Sequence, residues 1–169
     1  MIEQRGELFF AGDHSLEGLF EESEHGRSWG GVVVAHPHPL YGGTMVQPVV
    51  YRVAKTCRER GLATLRFNFR GVGASTGSYN GRDEYLDVQA ALAHLQQRLS
   101  VGPQGDAETH PDRAAVPAPV DAPIGLTGYS FGSVMAAFAS GGSVPVDALA
   151  LIAFPVAWQE QLPEAFARL

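Results

Sequence analysis

Gly128-Tyr129-Ser130-Phe131-Gly132 is the stretch whose residue types and spacing bear most directly on chemistry. Glycines stand two positions before and two after a serine. An apolar segment, Ile124 to Thr127, runs straight into it, and a run of small residues, Val134 to Ala139, leaves it with helical character. A serine on a tight strand-to-helix turn projects its hydroxyl above the sheet, at a helix N-terminus where developing negative charge is favoured. The residues on either side then crowd each other, and both must be glycine. Such a serine can attack a carbonyl carbon once a base takes its proton. The same letters also describe a glycine-rich turn whose serine only caps the helix. The flanking strand and helix favour the first reading.

A second block, His36-Pro37-His38-Pro39-Leu40-Tyr41-Gly42-Gly43, follows the apolar run Trp29 to Ala35. Two prolines and two glycines exclude helix there. We read His36 as a side chain whose hydrogen bond holds the loop. Two alternating histidines could also begin a metal site, but no third ligand follows at a recognisable spacing, and no metal is expected. The third block is Arg66-Phe67-Asn68-Phe69-Arg70-Gly71-Val72-Gly73-Ala74-Ser75-Thr76-Gly77. Its glycines fit neither a dinucleotide fingerprint nor a phosphate-binding loop. It reads as a flexible loop over the face that carries the serine, with Arg70 structural.

In order and spacing, these three blocks resemble the small α/β-hydrolases related to dienelactone hydrolase. The resemblance covers nearly the whole chain, apart from residues 100–123. It implies a serine hydrolase acting on a carboxylic ester or related acyl bond of a small molecule, through an acyl-enzyme on Ser130. In such a fold two backbone N–H groups hold the oxyanion. One belongs to the residue after the serine, Phe131. The other comes from the loop after the first buried strand, where Pro37 and Pro39 have no N–H to give and His38 is the donor. No cofactor is implied. The same resemblance places the triad acid after the nucleophile and the histidine near the C-terminus. Here all six histidines (His14, His25, His36, His38, His94 and His110) precede Ser130, and the acids after it are Asp147, Glu160 and Glu164. Asp147 opens its strand, at the end away from the serine. The expectation is therefore a hydrolase domain whose C-terminal strands are missing. The alternatives are His36 or His38 as a substitute base, or a non-catalytic hydrolase-like binding module.

The elements that must position these blocks alternate. Glu7–Phe10 and Leu16–Phe20 read as a hairpin around a Gly12–Ser15 turn, and Trp29–Ala35 as a strand buried on both faces. Val46, Val50, Val53 and Cys57 recur at helical spacing, with Gly61 as the C-terminal cap. Ala63–Phe69 is the next strand. A helix then opens at Asp83-Glu84 and buries Tyr85, Val88, Leu92, Leu95 and Leu99. Residues 100–123, rich in proline and alanine, read as a mobile loop. Ile124–Thr127 and Ala148–Phe154 are buried strands, and Trp158–Leu169 begins a last helix. The class is α/β, a mostly parallel sheet flanked by helices, in one domain over residues 1–169. Net charge is −6 and the 12 basic residues are scattered, which argues against nucleic acid. The single cysteine, Cys57, permits no intrachain disulfide and suits a cytoplasmic protein. No apolar run approaches the ~20 residues of a membrane span, and the N-terminus has no secretory pattern. With no strand beyond Ala148–Phe154, that sheet edge is expected to self-associate or to lower stability.

Overall fold

The computed structural model describes residues 6–26, 28–101 and 121–158. The sequence expectations for most of the 100–123 loop and for a helix over Trp158–Leu169 lie outside these residues. Six strands form one sheet: β1 (Glu7–Ala11), β2 (His14–Glu21), β3 (Gly30–Ala35), β4 (Leu62–Phe67), β5 (Ile124–Tyr129) and β6 (Ala148–Ile152). Their spatial order is β1-β2-β4-β3-β5-β6. The β1–β2 hairpin joins β4 antiparallel, and β4, β3, β5 and β6 run parallel. Among the described residues three α-helices flank the sheet: α1 (Pro48–Glu59), α2 (Glu84–Val101) and α3 (Phe131–Ala139).

Side chains alternate across β3, and this alternation builds two cores. Val33 and Ala35 join Leu65, Phe67, Leu126, Leu92, Leu95 and Met135 beneath α2 and α3. Val32 and Val34 meet Val50 and Ala54 of α1 on the other face. Helices therefore cover both faces of β3, which is why its six residues are all buried. Chain order reverses at β3, with β4 on one side and β5 on the other. In open α/β sheets the crevice beyond the carboxyl ends of such strands is the usual binding site. The loop after β3 and the turn after β5 both open there.

Several boundaries differ from the sequence reading. Val46 lies outside α1 and is exposed, because Pro48 starts the helix at a position where its missing N–H costs nothing. Strand β4 stops at Phe67 rather than Phe69, and β6 stops at Ile152, where Ala153 takes a positive φ of 49°. Strand β6 is the last of the described sheet, and Ala148, Leu149 and Ala150 on it are exposed. Among the described residues no helix is long and apolar enough to cross a membrane.

Buried ion pairs tie the hairpin and loops to the sheet. Asp87, fully buried on α2, accepts from the Arg70 backbone N–H at 2.9 Å, from its guanidinium at 2.6 Å and from His14 Nε2 at 3.0 Å. Glu21 binds Arg66 at 2.9 Å and Arg58 at 3.2 Å. Removing one partner of a buried pair leaves the other without compensation. Asp87→Ala is therefore expected to lower the unfolding free energy in urea by about 2–3 kcal/mol, since Arg70 keeps an edge in solvent. Lys55→Ala, which cuts the surface Lys55–Glu59 pair, is expected to leave the transition where it is.

Candidate active site

Ser130 sits between β5 and α3 with φ 54° and ψ −117°, a backbone conformation that L-residues rarely adopt. Three close approaches hold it there. A Cβ on Gly128 would stand 2.1 Å from the Gly132 carbonyl oxygen. One on Gly132 would stand 2.5 Å from the carbonyl oxygens of both Ala35 and His36. The Ser130 N–H donates to Ile152 at 2.9 Å, which ties the turn to β6. Both motif glycines are thus required by backbone contacts. The helix begins at Phe131, three residues earlier than its small-residue run suggests, so Ser130 is at its N-cap position. Its side chain makes no capping hydrogen bond, and the residue is half-buried. Ser133 donates from its own hydroxyl to the Ser130 carbonyl instead. The reading of Ser130 as a mere helix cap is therefore not what the geometry shows.

The loop after β3 lies against this turn. His36 is fully buried, and both its ring nitrogens are engaged. The Phe69 N–H can only donate, so Nε2, 3.1 Å away, is an acceptor. The proton is therefore on Nδ1, which donates to the Pro37 carbonyl at 2.6 Å. Burial pushes the pKa of this ring down to about 4. His36 holds the loop as expected, and this leaves it no free nitrogen with which to act as a base. His38 is half-buried and caps the short 3₁₀ turn Pro39–Tyr41, its Nδ1 accepting from the Leu40 N–H at 3.2 Å. Its Nε2 lies 2.9 Å from the Tyr79 hydroxyl, and its ring stands 4.9 Å from that of Phe131. The structure thus brings His38 and Phe131 together beside Ser130. Phe131 is the first residue of α3, and the N–H groups of a helix's first turn have no partner inside the helix.

The third block acts as a clamp. Arg66, Asn68 and Arg70 alternate with the core residues Phe67 and Phe69. Arg66 donates to the Met45 carbonyl at 3.2 Å, and Asn68 Oδ1 accepts from the Met45 N–H at 2.8 Å. Asn68 also donates to Glu17 at 2.7 Å. The segment expected to be flexible is closed by hydrogen bonds of Gly71 to Thr76, Val72 to Phe69 and Thr76 to Ser15. These bonds close it as a turn, and Tyr79, just beyond it, joins the rings of His38, Tyr41 and Phe131. Tyr79 was not visible as a site residue in the sequence. Its signal, one aromatic in a stretch of Ser, Gly and Asn, is weak.

Other groups stand apart. Asp147 accepts from the Ile124 N–H at 2.8 Å, at the opposite end of the sheet from Ser130. A cavity of about 220 Å³ lies at that same end, lined by Leu99, Ile124, Pro145 and Asp147. His14 and His94 bond carboxylates, and His25 the Glu59 carbonyl. Among the described residues no three His, Cys, Asp or Glu side chains could hold a metal.

The fold has counterparts among solved structures. An α/β serine hydrolase homologue from Coxiella burnetii is 32% identical, with a TM-score of 0.73, over 99% of this chain and 68% of its own. A lid-less α/β serine hydrolase from Xanthomonas campestris is 21% identical, with a TM-score of 0.61, over 97% and 81% of the two chains. An esterase from Pyrococcus furiosus is 20% identical, with a TM-score of 0.67, over 99% and 57%. The last two establish likeness of fold alone. An uncharacterized protein of Rickettsia prowazekii, RP471, is 52% identical over 66 residues, which are 38% of this chain and 28% of that protein. No family model matches the chain.

The buried His36 gives a pH prediction. The unfolded ring takes up a proton near its ordinary pKa of about 6.5, while the folded ring waits until about 4. Between those values the unfolded state binds more protons, so stability falls as pH drops through that window, by about 3 kcal/mol in all. NMR titration of the ring should show no protonation of His36 above pH ~5. A midpoint near the ordinary histidine value would contradict the buried, neutral assignment.

Proposed function

We propose, from the premise that the chain belongs to the α/β serine hydrolase family, that Ser130 is the nucleophile of an enzyme that cleaves carboxylic esters or related acyl bonds. The observation that carries this reading is the backbone of Ser130. A positive φ at a non-glycine residue, held by two glycines whose own neighbours leave no room for a side chain, is a cost that ordinary helix caps do not bear. In the proposed reaction Ser130 Oγ bonds to the acyl carbon and loses its proton to a base. The carbonyl electrons move to oxygen, and the N–H groups of Phe131 and His38 donate hydrogen bonds to it. The tetrahedral species then expels the alcohol, which takes the proton, and water releases the acid by the same steps.

We assign the role of base to none of the described histidines. Both nitrogens of His36 and of His38 are engaged, and the rings of His14, His94 and His25 bond Asp13 and Asp87, Glu7, and the Glu59 carbonyl. This observation also favours a second reading, a non-catalytic module that uses the same crevice to bind a small molecule. A fluorophosphonate separates the two. The first reading expects a label on Ser130, absent from Ser130→Ala, and hydrolysis of a p-nitrophenyl ester that the mutation abolishes. Catalysis without the full triad can still reach roughly 10³–10⁴-fold over water, so slow turnover suffices. An unlabelled wild-type chain, or a label that survives in Ser130→Ala, contradicts it.

A further inference from the structure

The hydrogen bonds around His38 run in one direction. The Leu40 N–H can only donate, so Nδ1 of His38 must be its acceptor. A neutral imidazole carries its proton on the other nitrogen, so Nε2–H donates to the Tyr79 hydroxyl oxygen, 2.9 Å away. Burial holds the His38 pKa below its ordinary value, against the pull of Glu84, which keeps the ring in this neutral form. The Tyr79 oxygen therefore receives a hydrogen bond, and its own proton must point elsewhere. Among the described residues no acceptor meets it. Burial, Glu84 and Tyr41 all push the Tyr79 pKa up, which keeps that proton on the oxygen.

The position matters as much as the polarity. The Tyr79 ring is 5.8 Å from that of Phe131, the residue directly after Ser130, and 5.2 Å from that of His38. Tyr79 is only half-buried. Beside its hydroxyl stands Gly81, where a Cβ would come within 3.0 Å of the oxygen. A glycine with φ 76° leaves that flank open. The Tyr79 O–H is thus left without a protein acceptor among the described residues, beside the rings of His38 and Phe131.

We infer that the Tyr79 hydroxyl is a substrate-recognition donor, which selects esters whose acyl part is flat and carries a hydrogen-bond acceptor oxygen. The inference rests on the reading of Ser130 as nucleophile, because that defines the crevice as the acyl site. Flat groups suit the accessible edges and faces of His38, Tyr41 and Tyr79, which the buried Phe131 ring backs. An acceptor oxygen would complete the chain from Leu40 through His38 to Tyr79.

Two probes of nearly equal shape test it: methyl 4-acetylbenzoate, with an acceptor, and methyl 4-isopropylbenzoate, without one. Their binding is measured by titration calorimetry on the 169-residue chain carrying Ser130→Ala, so that no acyl transfer intervenes. The acetyl ester should bind about 3- to 10-fold more tightly, the range of one net hydrogen bond. Adding Tyr79→Phe should erase the preference and leave the isopropyl ester within about 2-fold, a change no larger than the scatter of near-neutral contacts. A chain labelled with ¹³C at tyrosine Cζ gives a readout that needs no further substitution: the Tyr79 signal should move with the acetyl ester and not with the other. Equal affinity for the two esters, a preference that survives Tyr79→Phe, or no binding of either ester overturns the inference. Failure of fluorophosphonate labelling would instead strike the nucleophile assignment, and the binding comparison is independent of it.

Discussion

Everything at the site follows from how closely α3 is pressed to the end of β3. Gly132 leaves no room for even a methyl group between its Cα and the carbonyls of Ala35 and His36. Because β3 and β5 pair in parallel, with Ala35 opposite Gly128, the two strands deliver their last residues to the same place. The chain must then reverse from β5 into α3 within one residue. Ser130 absorbs that reversal with a positive φ, and residues held in such regions persist only where the surroundings over-determine them. Here the surroundings are two glycine contacts and the hydrogen bond to Ile152. The same contact lays the start of the His36–Gly43 loop against the start of α3, so that His38 and Phe131 come together.

The loop is fixed by residues far from it in sequence. Gly43 must also lack a side chain, since a Cβ there would fall 2.0 Å from the Pro37 carbonyl oxygen. His36 reaches across to the Phe69 N–H, and Met45 is gripped through both backbone groups by Asn68 and Arg66. Arg70 completes the set through Asp87. A single strand end, with alternate residues polar, therefore anchors the loop after β3, the β1–β2 hairpin and α2. Rigid elements of this kind are what hold a reactive group in a productive position.

Much of this could be read from the sequence, and the reasons are local. Apolar runs such as Val32-Val33-Val34 report a doubly covered strand, and glycines at fixed offsets from a serine report a tight turn. The loop at Arg66–Gly77 misled because glycine content signals freedom, whereas its bonds to Ser15, Glu17 and Asp87 lie up to about sixty positions away and leave no local mark. The early start of α3 was hidden in the same way. Gly132 looks like a helix breaker, yet packing requires it inside the first turn. Tyr79 could not be assigned from its neighbours, because its role depends on the tautomer of His38, itself set by a backbone N–H two residues further on. Pattern reveals elements; it does not reveal which distant polar groups meet.

If the elbow is strained by packing, then relieving Ser130 alone should stabilise the fold. The direct measurement is the unfolding free energy of Ser130→Gly beside that of Ser130→Ala. Alanine keeps the strain of the positive φ. Glycine removes about 1–3 kcal/mol of it and gives back roughly 0.5–1 kcal/mol in chain entropy. The account predicts that Ser130→Gly is the more stable of the two by about 1 kcal/mol. A glycine variant equal to or less stable than the alanine variant would mean that Ser130 sits there without strain, and that close packing of α3 on β3 does not constrain the elbow.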